Sequence, residues 1–185
     1  MKMKTTVSTT GRGIIALATL VLVGGTGVVW AQKATKPVSQ QITRVVVPRG
    51  ADVLKGLRGV EIVVEDLSDD AEKRGLTRDR IQSAIELSLR RNRVPVLTKD
   101  ERQAKPGRPY LYVKVSVGDY TFSINVELHE DVRLARAPST LVAGATTWGT
   151  FMFGAAGATG GDFILKSVEE EVDTFCLDYR KANPK

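Results

Sequence analysis

The stretch TFSINVELHEDVRLAR, residues 121–136, keeps a period of two almost from end to end. Phe122, Ile124, Val126, Leu128, Val132 and Leu134 fall on even positions. Ser123, Asn125, Glu127, His129, Asp131 and Arg133 fall on odd ones, and only Glu130 breaks the apolar row. Such alternation demands an extended strand with one dry and one wet face, and it excludes an all-helical fold. The preceding YLYVKVSV alternates too, placing Leu111, Val113, Val115 and Val117 together. Gly118-Asp119 between the two runs is a two-residue hairpin signal. Residues 137–139, Ala-Pro-Ser, predict the next reversal, and TLVAGATTWGTFMF supplies a third strand interrupted by Gly144 and Gly149. Three consecutive strands of this kind form an antiparallel meander. Trp148 and Tyr112 are expected on its less protected face.

Two segments change period. In LTRDRIQSAIELSLRRNR, Ile81, Ala84, Ile85, Ser88 and Leu89 recur at helical spacing, with Thr77 as the N-cap and Val94-Pro95 as the stop. In DFILKSVEEEVDTFCLDYRKANPK, Ile164, Val168, Val172, Phe175, Cys176 and Tyr179 make one apolar stripe. GVEIVVEDL at 59–67 is a further strand and PVLT a short one. SDDAEKRG and KDERQAKPGRP look like polar connections. An apolar sheet face and two apolar helix stripes satisfy one another in two layers. The predicted fold is therefore α+β: a mainly antiparallel sheet in the order strand-helix-strand-meander-helix, with two amphipathic helices on one face. It occupies 56–185. Residues 32–55 form a polar linker or extended arm, in which TRVVVP is a short strand or simply extended chain.

The first 31 residues have a separate logic. Lys2, Lys4 and Arg12 precede an uncharged apolar run from Ile14 to Trp30, and Val29 and Ala31 stand at the −3 and −1 positions before Gln32. This is the pattern of a cleaved secretory signal peptide. An uncleaved anchor is the alternative, and membrane contact is expected only in that case. Both readings export the rest of the chain, to periplasm or exterior. The charge balance shifts accordingly. Three of the 27 Lys+Arg and none of the 21 Asp+Glu lie in this segment, so the remainder carries +3 rather than +6. A nucleic-acid partner argued from net charge would rest on the targeting segment. Cys176 is the sole cysteine, which excludes an internal disulfide and suits a buried small hydrophobe.

Few residues suggest chemistry. FGAAGATGGDF, residues 153–163, has neither the Lys-Ser/Thr of a P-loop nor dinucleotide spacing, and Asp162 would repel phosphate. It predicts a joint, with Asp162 as N-cap and Gly157 and Gly160 as candidate partner contacts. Glu127, His129 and Asp131 would share one strand face, a potential but sparse ligand set; a solvated polar face is the plainer reading. Arg90, Arg91 and Arg93 close the first helix, where they offset its dipole or contact an anion. No nucleophile elbow and no Cys–His pair is evident. The expectation is thus a non-enzymatic protein without catalytic residues, metal or cofactor. It would bind a protein or envelope component through the meander edge, at Phe122, Ile124, Glu127, His129, Asp131 and Arg133. The alternative is a ligand-binding, metal-binding or hydrolytic protein using 127–131.

The run GVEIVVEDLSDDAEKRGLTRDRIQSAIELSLRRNRVPVL resembles a stretch of uncharacterised exported bacterial proteins: a strand, a helix ending in basic residues, then an xPVL strand. SVEEEVDTFCLDYRKANPK is similar to their C-terminal helix. In layout the chain also resembles the N-terminal domain of the periplasmic translocation protein TolB and related envelope-assembly modules. The resemblance implies an envelope accessory role and carries over no functional residue.

Overall fold

The computed structural model describes residues 50–155 and 160–184, and the backbone of 42–45, all within the unit Pro37–Lys185. The cleavage residues Val29, Ala31 and Gln32, and Gly157, lie outside the described residues. No described helix is long and apolar enough to cross a membrane.

The fold is α+β. Strands β1 (Ile42–Val45), β2 (Glu61–Val64), β3 (Tyr110–Val117), β4 (Thr121–Leu134) and β5 (Ala137–Ala155) form one sheet in the order β1-β5-β4-β3-β2. The meander β3-β4-β5 is antiparallel throughout; only β2 joins parallel, beside β3. β1 pairs with residues 151–154 of β5, so part of TRVVVP belongs to the sheet. A 3-10 turn at Ala51–Leu54 follows and seats Leu54 in the core. The packed structure therefore takes in chain upstream of Gly56.

Helix α2 (Arg78–Arg91) begins where Thr77 accepts the Arg80 amide at 3.2 Å and buries Ile81, Ile85 and Leu89. Helix α4 (Gly161–Ala182) buries Ile164, Val168, Val172, Phe175 and Cys176. Both lie on the face that carries Leu111, Val113, Val115, Phe122, Ile124, Val126 and Leu128, so the predicted two layers form as the alternation requires. Burial pushes the Cys176 thiol up to about 11, which keeps it an unreactive apolar group. Two polar stretches hold short helices, α1 (Asp69–Lys73) and α3 (Lys99–Gln103). A capping box between Thr98 and Glu101 starts α3, a signal present in the sequence as Thr-x-x-Glu. The PVLT segment contributes one bridge, Val60 to Val96, rather than a strand.

Local departures have identifiable causes. The chain reverses at Ala135-Arg136, ahead of the expected Ala-Pro-Ser, because Leu134 already pairs with Ala137. β4 and β5 shift register between Leu128 and His129, where Leu128 faces Trp148 but His129 faces Thr146. The extra residue, Thr147, brings Thr146 opposite His129 beyond Trp148. Trp148 itself keeps step with Thr150 and Met152 and faces buried Leu128, so regular alternation sets it on the helix-covered face. Trp148 is buried there, its indole N–H donating to Asp178 at 3.2 Å and its ring edge-on to Phe175, not on the open face beside Tyr112.

The glycine stretch also has a structural explanation at both ends. At Gly154 an added Cβ would stand 2.6 Å from the Phe122 ring, and at Gly161 it would stand 2.5 Å from the Arg74 carbonyl oxygen. Each glycine permits a close approach. Gly160 is the N-cap of α4, while Asp162 lies inside the first turn and pairs with Arg80 at 2.7 Å. Asp162 is therefore an ion-pair partner at the positive end of the helix dipole, not the cap. Gly154→Ala should push the Phe122 ring or the strand aside and lower stability by about 1–3 kcal/mol, the usual cost of overpacking. Urea unfolding of the variant beside the wild type checks this; an unchanged midpoint would mean the ring has room to yield.

Candidate functional site

The strand alternation that builds the core also lays out the opposite face, residue by residue. Register places Tyr112 beside Glu127 and Glu127 beside Gly149. The next row is Lys114, Asn125 and Phe151, and the next Ser116, Ser123 and Phe153. On the other side lie Tyr110 and His129. These residues alternate with buried ones, so they face away from α2 and α4. Phe153 is 44% exposed, and Phe151, Tyr110 and Tyr112 are half-buried.

Polar groups on this face are tied together. The Tyr112 hydroxyl donates to Glu65, and Lys114 donates to the other Glu65 oxygen at 3.2 Å. The Tyr112 bond, aided by Lys114, holds the Glu65 carboxyl below its ordinary range. The same bond, with burial, pushes Tyr112 up to about 12. His129 Nε2 lies 2.8 Å from Glu127, and its Nδ1 lies 3.1 Å from the Gly144 carbonyl oxygen and 3.2 Å from the Tyr110 hydroxyl. Both tyrosine rings flank the imidazole, with centroids at 5.0 and 5.3 Å. Arg102 stacks over Tyr110 and pairs with Glu61.

Asp131 does not join Glu127 and His129. The register shifts on either side of Glu130 turn it to Arg108 and to the Gly144 amide at 3.1 Å. Burial raises its pKa, but Arg108 and the Gly144 N–H outweigh that and hold the carboxyl low. Gly144 has φ +63°, and a Cβ there would stand 3.1 Å from the Tyr110 hydroxyl. A mid-strand glycine was the one sequence sign of this bulge. Among the described residues no group of three His, Cys, Asp or Glu is placed to hold a metal.

Other expected contacts are redistributed. Phe122 and Ile124 are 1% and 0% exposed beneath the helices, so they are core and offer no docking surface. β4 is flanked by β3 and β5, so its backbone groups are spent within the sheet and it presents no edge. Arg133 is exposed and donates to the Pro138 carbonyl at 3.1 Å. Gly160 is exposed. Arg90 pairs with Glu86, whereas Arg91 and Arg93 border a cavity at the end of α2. The Glu65–Tyr112–Lys114 group was missed because Glu65, just past the end of β2, and the two β3 residues are distant in sequence, and only the parallel register of β2 on β3 brings them together. No protein-family model, curated protein or solved structure matches this chain.

The Glu65–Tyr112 bond has a measurable consequence. Glu65 is held low in the folded chain, so its contribution is present above the ordinary carboxylate pKa of about 4.3 and is lost as pH falls through the folded value. In Tyr112→Phe the Glu65 carboxyl should return upward toward that ordinary value. A carboxyl 13C titration of both proteins reads this directly; an unmoved Glu65 would show that Tyr112 is not its main partner.

Proposed function

We propose that this chain is an exported, non-enzymatic domain that binds a protein or an envelope component through the uncovered face of its sheet. The observation that carries the reading is the contrast between the two faces. One is sealed by α2 and α4, and the other presents Phe151, Phe153, Tyr110 and Tyr112 around a fixed polar group. A solvated sheet face is ordinarily polar. Aromatic residues grouped on such a face suit recognition, because each adds contact area at little cost in side-chain freedom. Glu65, Lys114, Glu127 and His129 are already ordered by neighbours, so a partner would meet a preorganised surface. Export rests on the basic-apolar-small pattern of the first 31 residues, and the envelope as the place of action follows from it.

A photo-crosslinking amino acid installed at Phe153 in living cells tests this, with Leu87 on α2, 56% exposed, as the control position. A discrete adduct from position 153 and none from position 87 is the expected result. No adduct at 153, or the same adducts at both positions, would overturn the assignment of this face.

A further inference from the structure

Helices α1 and α2 end in the same backbone motif. In α1 the Leu76 amide reaches the Ala71 carbonyl at 3.1 Å and the Gly75 amide reaches Glu72 at 2.8 Å. In α2 the Val94 amide reaches Leu89 at 2.9 Å and the Arg93 amide reaches Arg90 at 3.0 Å. The residue between must take a left-handed conformation, for which glycine is favoured. α1 uses Gly75, with φ +78°; α2 uses Arg93, with φ +59°. An arginine there is held against its backbone preference, so the side chain needs a reason to be present.

The surroundings supply one. Arg93, Arg91 and, from the last turn of α4, Arg180 border a cavity of about 420 Å³ with Tyr179 and Asn183. The other polar groups of that cavity are occupied. Tyr179 donates to Leu57 at 3.1 Å, and Asn183 bonds Leu54 at 2.9 Å and Gly56 at 2.8 Å. The neighbouring carboxylates are engaged too: Asp173 accepts from Ser88 and Asn92, and Asp178 from Lys181 and Trp148. The three guanidinium groups have no ion-pair partner among the described residues. Helix C-termini disfavour an anion by their dipoles, so an anion here would depend on the arginines alone. Planar guanidinium forks match tetrahedral phosphate oxygens.

We propose that Arg91, Arg93 and Arg180 form a site for a phosphoryl group, carried by a small soluble phosphate or by a phospholipid headgroup. This does not depend on the role of the open sheet face. The full chain is titrated calorimetrically with inorganic pyrophosphate at low salt. It is then titrated with phosphatidylcholine vesicles with and without phosphatidylglycerol. The variants are the triple Arg91→Gln, Arg93→Gln, Arg180→Gln and a charge-matched control, Lys99→Gln, Arg136→Gln, Lys166→Gln. The triple should bind at least about tenfold more weakly, the worth of one charge-assisted hydrogen bond, and the control should bind like the wild type. Loss in the pyrophosphate arm identifies a soluble ligand, and loss confined to anionic vesicles identifies a headgroup. Arg93→Gly separates site from scaffold: it should raise the thermal midpoint while weakening binding. Absence of arginine-dependent binding in both arms, or equal loss in the control, would overturn the proposal.

Discussion

The contact between α4 and the buried face of the meander is the interaction on which the rest of the molecule depends. Phe175 meets Trp148 edge-on, Val168 and Val172 pack into the same core, and Thr150 donates to the fully buried Glu171. Burying each large apolar side chain favours the fold by roughly 1.5–3 kcal/mol. A buried carboxylate adds direction, because it is tolerated only where a donor meets it. Thr150 is one such donor, and it stands two residues from Trp148 on the same face of β5. The helix is therefore held in one register on the sheet, and among the described residues no helix of this length packs on the opposite face.

That constraint explains why the face, and not the edge, is the candidate surface. β4, the longest apolar-alternating strand, is central, so its hydrogen-bonding groups are used by β3 and β5. Its odd-numbered side chains point outward and combine with those of β2, β3 and β5. The separate register shifts at Thr147 and at Gly144 then sort them. They keep His129 with Glu127 and Tyr110, and send Asp131 to Arg108. Glu65, Tyr112 and Lys114 complete the group from the parallel side of the sheet. The basic cavity at the ends of α2 and α4 arises differently, from where two helices finish rather than from the sheet.

Much of this layout was legible in the sequence. Period-two runs identified β3 and β4, helical spacing identified α2 and α4, and Thr77 marked a helix start that its hydroxyl in fact caps. What the sequence concealed were consequences of register. Trp148 keeps step with Thr150 and Met152 and so faces the helices, while the extra residue at Thr147 breaks step just beyond it and sets Thr146 opposite His129. Glu171 looked like one more helical acid in a run of three, yet it is fully buried and accepts from Thr150 across the layer. Arg180 could not be grouped with Arg91 and Arg93 until the packing of α4 on α2 was known. Short helices α1 and α3 were hidden because their residues are polar, although Thr98 and Glu101 carried the capping signal.

The central claim is that α2 and α4 seal one sheet face and that no described helix of their length covers the other. Hydroxyl-radical footprinting of the full chain in solution tests it most directly, since aromatic side chains are modified in proportion to their exposure. Phe153, Tyr110 and Tyr112 should be modified readily while Trp148, Phe122 and Phe175 stay protected. Protection of Phe153 and Tyr112 to the same degree as Trp148 would contradict the account, because the face assigned to a partner would already be covered.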